Sequence, residues 1–125
     1  MKKTIKTEII VKRIKRVPID DFIALYKNAG WWKKKYDNDT RFINKAVKGS
    51  FCFVGAFLDK KMIGMGRALS DGCSDAYIQD VVVHGSFRGK GIGEKIVFTL
   101  KEKLSEAGVD WIALIAEPDT ENFHS

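Results

Sequence analysis

Tyr77-Ile78-Gln79-Asp80-Val81-Val82-Val83-His84-Gly85-Ser86-Phe87-Arg88-Gly89-Lys90-Gly91-Ile92-Gly93-Glu94 is the stretch whose reading decides the fold. It begins as a strand, and the run Val81-Val82-Val83 predicts burial on both faces at the strand's end. A short loop carrying Gly89, Gly91 and Gly93 follows and leads straight into a helical pattern. From Glu94 to Ala107 the apolar residues Ile96, Val97, Leu100 and Leu104 recur at helical spacing, and Gly108 ends the run. Such a loop presents backbone N–H groups, clear of side chains, at a helix start. Unpaired amides and the helix dipole both favour an anion there. Arg88 and Lys90 add whole positive charges beside it.

Two other glycine loops are excluded by spacing. A dinucleotide fingerprint needs G-x-G-x-x-G, whereas here the glycines recur at every second residue. A nucleotide phosphate loop ends in Gly-Lys-Ser/Thr, and Gly93-Glu94-Lys95 does not.

Downstream, Trp111–Ala116 reads as a buried strand that Pro118 breaks, so strand, helix and strand form one β-α-β crossover. Asp119 or Thr120 caps a last turn of helix. Upstream lies a strand meander. Phe51–Leu58 is apolar, Asp59-Lys60-Lys61 turns, and Met62–Leu69 returns with Gly64 and Gly66 as sites for a bulge. Asp71-Gly72 turns the chain again into Ala76–His84. Nearer the N-terminus, Glu8–Val17 alternates as a first strand. Pro18 then opens a helix with Ile19, Phe22, Ile23, Leu25 and Tyr26 on its apolar side, and Gly30 supplies a left-handed stop. Trp31–Tyr36 forms a connection, and Asp39 or Thr40 caps a second helix through Phe42, Ile43, Ala46 and Val47 that closes at Gly49. The order is that of a mixed α/β layer architecture in a single domain, residues 1–125.

Composition sets outer limits. The chain has 125 residues and a formal net charge of +6, with basic residues spread over several clusters. That charge implies attraction to something anionic, and a polyphosphate needs only the Arg88–Lys95 cluster. No apolar run approaches the roughly 18 residues that span a bilayer. The basic start, Met1 to Lys6, leads into alternating residues with no signal-peptide core, so a cytoplasmic location is expected. Cys52 and Cys73 have no metal-ligand spacing; each falls in an apolar or strand-like stretch and reads as a reduced, structural thiol. No metal is expected.

Arg88-Gly89-Lys90-Gly91-Ile92-Gly93 resembles the R-x-x-G-x-G motif of the GNAT superfamily of N-acetyltransferases, and Asp80–His84 resembles that family's fourth strand. The resemblance is sharp from Tyr77 to Gly93 and looser before Phe51. It implies a GNAT-like mixed, mostly antiparallel sheet with a central β-α-β cofactor-binding unit. It also implies an enzyme that transfers acetyl from acetyl-coenzyme A (CoA) to a small-molecule or peptide amine. In the family the fourth strand carries a bulge and splays from the fifth, and the pantetheine arm lies between them. By that resemblance Val81, Val82 and Val83 hold the pantetheine and thioester. Arg88 and the amides of Gly89, Lys90, Gly91, Ile92 and Gly93 hold the pyrophosphate.

Acid and base depart from the family pattern. Phe123-His124 stands where relatives have Phe-Tyr, which makes His124 the expected proton donor to the leaving thiolate. Gln79 occupies a position that is glutamate in many relatives and cannot abstract a proton. Asp80 is the neighbouring carboxylate, and it serves as base only if a bulge turns it from the face that strand alternation assigns. His84 and a water relay are the other options. The family continues beyond this point through a helix and two strands, so the reading expects C-terminal elements to be missing. Either the form is truncated or a partner chain completes the sheet, and the exposed strand edge would favour a homodimer or swapping. Two other classes compete: a non-catalytic CoA-binding or assembly module, and a nucleic-acid-binding domain using the basic surface with Trp31, Trp32 and Tyr36. The last lacks a recognisable nucleic-acid motif.

Overall fold

The computed structural model describes residues 8–115. Its elements are β1 (Ile9–Arg13), α1 (Ile19–Asn28), α2 (Arg41–Gly49), β2 (Cys52–Leu58), β3 (Lys61–Ser70), β4 (Asp75–Val83), α3 (Ile92–Glu106) and β5 (Trp111–Leu114). Short 3₁₀ turns lie at Lys34–Asn38, overlapping the end of the expected Trp31–Tyr36 connection, and at Gly85–Phe87. The strands form one sheet in the order β1-β2-β3-β4-β5. Neighbours are antiparallel except β4 and β5, whose parallel pairing runs from Asp75↔Trp111 to Ile78↔Leu114. This is the mixed, mostly antiparallel sheet with a β-α-β unit that the sequence predicts.

Helices cover both faces. On one, α3 buries Ile92, Ile96, Leu100 and Leu104 against Val54, Ala56, Ile63, Ala76 and Ile78. On the other, Phe22 and Leu25 of α1 and Ile43 and Val47 of α2 pack on Phe53, Met62, Met65 and Val82. Helix α1 stops as expected: Gly30 takes φ +81 and the Trp31 amide donates to the Tyr26 carbonyl at 2.9 Å, a left-handed cap. Asp39, not Thr40, provides the side-chain bond at the start of α2, accepting from the Arg41 amide at 3.0 Å.

The first strand ends at Arg13, short of the expected Val17. One more bond, from the Ile14 amide to the Phe53 carbonyl at 2.8 Å, ends its contact with β2. Val17 is buried under the helices instead, so alternation persists past the point where pairing stops. Cys52 is buried, but Cys73 is exposed in the turn before β4 and has no core role. Its stretch is held by Asp71, whose carboxylate accepts from the Cys73 and Ser74 amides.

Two irregularities shape the centre of the sheet. Ile63 is an extra residue on β3 between Ala56↔Gly64 and Phe57↔Met62. On β4, Asp80 and Val81 together face the single residue Gly66, between Arg67↔Gln79 and Met65↔Val82. Gly66 has no room for a side chain. A Cβ there would lie 2.8 Å from Ile96 Cγ2 and 3.0 Å from Val81 Cγ2. Replacing Gly66 with alanine is expected to destabilise the protein by about 1–3 kcal/mol through overpacking under α3. Denaturant unfolding checks this; an unchanged midpoint would mean that α3 can lift without loss.

Candidate functional site

The site begins at the bulge. Asp80 has φ +58, a left-handed conformation that a non-glycine residue adopts only where its surroundings hold it. Ala76 and Ile78 face α3, so simple alternation would send Asp80 to that side as well. The extra residue turns it to the α1/α2 face, while Val81 and Val83 take the α3 face and Val82 joins the α1/α2 core. There the Arg67 Nε donates to Asp80 Oδ2 at 2.7 Å, with the two side chains 19% and 16% exposed. Arg67 Nη1 also reaches the Ala46 carbonyl of α2 at 3.4 Å. Phe22, Tyr26, Phe53 and Met65 line the narrow cleft around this pair.

The described pairing of the two parallel strands runs as far as Ile78 and Leu114. The Ile115 amide donates to the Ile78 carbonyl at 2.8 Å, and from Gln79 to Val83 β4 has only β3 as partner among the described residues. Ala116, where the predicted β5 strand ends, lies outside the described residues. So does His124, the expected proton donor, together with the Phe123 beside it.

The loop after β4 is built by glycine. Gly89 and Gly91 have φ +79 and +77, and Gly91 is the N-cap of α3. A side chain at Gly89 would meet nothing within 4 Å, so conformation and not space selects glycine there. Among the described residues, the amides of Gly89, Lys90, Gly91, Ile92, Gly93 and Glu94 find no acceptor; the first bond into α3 is Lys95 N–H to the Gly91 carbonyl at 3.1 Å. This row of free donors, with Lys90 exposed among them, suits an anionic group such as a phosphate.

Arg88 is used differently from the simple expectation of a free charge. Its Nε donates to the Val83 carbonyl at 3.1 Å and its Nη2 to Asn28 Oδ1 at 3.2 Å. The same Asn28 oxygen accepts from the Gly85 amide at 2.9 Å, which ties the end of α1 to the loop. His84 turns its Nδ1 to accept from the Ser86 amide at 3.2 Å, closing the short 3₁₀ turn. Sequence reasoning missed Asn28 and Arg67. Arg67 left one signal, as the lone charged residue in the apolar run Met62–Leu69; Asn28 left none. Among the described residues, no group of three or more His, Cys, Asp or Glu side chains could hold a metal, and no helix is long and apolar enough to cross a membrane.

Residues 13–125 match the family model described as acetyltransferase (GNAT) family. An uncharacterized N-acetyltransferase, ycf52, of Pyropia yezoensis is 30% identical over 121 residues, covering 94% of this chain and 67% of that protein. A probable acetyltransferase of unknown function from meticillin-resistant Staphylococcus aureus superposes with a TM-score of 0.71 at 25% identity, over 92% of this chain and 86% of the other. An aminoglycoside N-acetyltransferase solved in complex with CoA gives a TM-score of 0.72 over 91% of this chain and 80% of its own; at 15% identity that likeness is one of fold.

Replacing Arg88 with methionine removes two bonds and strands the Val83 carbonyl. The expected result is a loss of about 1.5–3 kcal/mol of stability, the range for a hydrogen bond to a charged group. Thermal and denaturant melting check it. Undiminished stability would free Arg88 from this anchoring role.

Proposed function

The chain belongs to the GNAT family of acetyltransferases, and on that premise we propose that it transfers the acetyl group of acetyl-CoA to a primary amine. The observation that carries the proposal is the row of amides from Gly89 to Glu94 at the start of α3, which find no acceptor among the described residues and directly follow the bulged strand β4. Bound acetyl-CoA supplies the thioester whose C–S bond breaks as the C–N bond forms. The chain's own part is to hold, orient and move protons. The amides of Gly89, Lys90, Gly91, Ile92 and Gly93 bind the pyrophosphate. Val81, Val82 and Val83 present the strand edge that seats the pantetheine and offers an N–H to the carbonyl oxygen as charge develops on it.

In this reading the acceptor approaches from the α1/α2 side, the face to which the bulge turns the Asp80 carboxylate. Asp80 faces that side and is the proposed base. Arg67 fixes its carboxylate in place, and a general base works only from a fixed position within hydrogen-bond reach of the proton. Assignment of His124 as the acid rests on the sequence resemblance alone. A non-catalytic CoA-binding module is the second reading. It is favoured by the engagement of Asp80 with Arg67, and turnover separates it from the first.

The test has two arms. Gly91→Val forces a branched side chain into a left-handed position and crowds the amides. Calorimetry with CoA should register no binding, while circular dichroism retains the fold. Binding at the parental level would reduce the loop to a connection. Asp80→Asn should keep CoA affinity and slow acetyl transfer to a panel of amines by about 10²–10⁴-fold, the usual contribution of general base catalysis. A rate within a few-fold of the parent would remove Asp80 from proton transfer. A parent that binds CoA and acetylates nothing would favour the non-catalytic module.

A further inference from the structure

A cluster of positive charge lies beside the acceptor side of the site. Residues 27–48 hold Lys27, Lys33, Lys34, Lys35, Arg41, Lys45 and Lys48 against Asp37 and Asp39, a formal +5. Both acids are engaged. Asp37 accepts from Trp32 Nε1 at 2.8 Å, and Asp39 accepts from Arg41 through both carboxylate oxygens, at 2.9 and 2.7 Å. Hydrogen bonds from Arg41 hold the Asp39 carboxyl well below the usual carboxylate range, so that pair stays neutral overall. Lys33, Lys34, Lys35, Lys45 and Lys48 are exposed, and none has an ion-pair partner among the described residues.

These cations stand on an ordered base. Tyr36 stacks on Phe42 with ring centroids 4.0 Å apart, and Trp32 packs edge-on against Tyr36 at 5.2 Å. Lys27 and Lys35 lie 5.6 and 5.7 Å from the Trp32 and Tyr36 ring centroids. The aromatic packing thus pins the 3₁₀ turn carrying Lys34 and Lys35 against α2. Arg41, Lys45 and Lys48 follow one another at helical spacing along α2, opposite its buried Ile43 and Val47. An ordinary solvated helix face mixes signs; the first turn of α2 has no acid at all. The helix is also fastened to the site, since the Ala46 carbonyl accepts from the guanidinium that holds Asp80.

We propose that this positive surface binds acidic peptides, so that the acceptor is an amine flanked by aspartate or glutamate. The proposal rests on the acetyltransferase reading above. The acceptor amine is itself positive before it loses its proton and goes to Asp80, while its flanking carboxylates meet Lys33–Lys35, Lys45 and Lys48. A nine-residue helix is roughly 13 Å long at about 1.5 Å per residue. With the 3₁₀ turn beside it, the positive surface spans several residues of an extended peptide. A polycationic acceptor would be repelled by the same surface.

The experiment uses three fluorescently labelled probes: a short peptide with one lysine among aspartates and glutamates, the same lysine among arginines, and a single-stranded oligonucleotide. Anisotropy is measured with CoA present, at low and high salt. The acidic peptide should bind at least about tenfold more tightly than the basic one and weaken as salt rises, as exposed charge pairs do. Lys33→Gln/Lys34→Gln/Lys35→Gln and Lys45→Gln/Lys48→Gln should each weaken acidic-peptide binding several-fold while CoA binding, which also reports an intact fold, changes little. Acetyl transfer should favour the acidic peptide in kcat/KM. Equal or tighter binding of the basic peptide overturns the proposal. So does capture of the oligonucleotide in preference to the acidic peptide, or a loss of CoA affinity that matches the loss of peptide affinity. A parent protein that binds no CoA would instead overturn the acetyltransferase reading.

Discussion

One residue too many on β4 governs the centre of this protein. At Asp80 the strand places two residues against one on β3, and every side chain after it changes face relative to simple alternation. Val81 and Val83 thereby enter the α3 core, and Val82 enters the opposite one. A left-handed aspartate costs on the order of 1 kcal/mol or more and persists only if neighbours over-determine it. Here they do. Arg67 takes the carboxylate from across the ladder, and Gly66 gives α3 the space that the bulged Val81 requires. Removing either partner sets the bulge against the packing of its own sheet.

The bulge also explains where sequence reading succeeded and where it stopped. The loop and its glycines were legible because their requirement is local: a left-handed turn at Gly91 and an uncovered helix start follow from adjacent residues. The β2-β3-β4 hairpins and the crossover through α3 to β5 were legible for the same reason, each hairpin having its own turn residues. Asp80's face was not. Its neighbours in sequence permit either face, and the decision comes from Arg67, thirteen residues away on another strand. Arg88 was read as a charge for a ligand because arginine beside an anion site has that meaning in sequence. Its contact with Asn28, sixty residues away, left no periodic or compositional trace. The overlong first strand has another cause: alternation reports burial, and Val17 is buried without being paired.

These long-range bonds divide the labour between the helices on the α1/α2 face. Asn28, the last residue of α1, accepts from Gly85 and from Arg88 and so fixes the entry to the amide-rich loop. Ala46, midway along α2, accepts from Arg67 and so fixes the bulge. The segment between them, from Trp31 to Arg41, carries the packed aromatic rings and the lysine run. That segment is therefore hydrogen-bonded at one end to the amide-rich loop and at the other to the bulge. Displacement of α2 would pull on Arg67, and through it on the residue that sets the face of Val81, Val82 and Val83. The Arg67 guanidinium thus joins α2 to the bulge with a bond to each side.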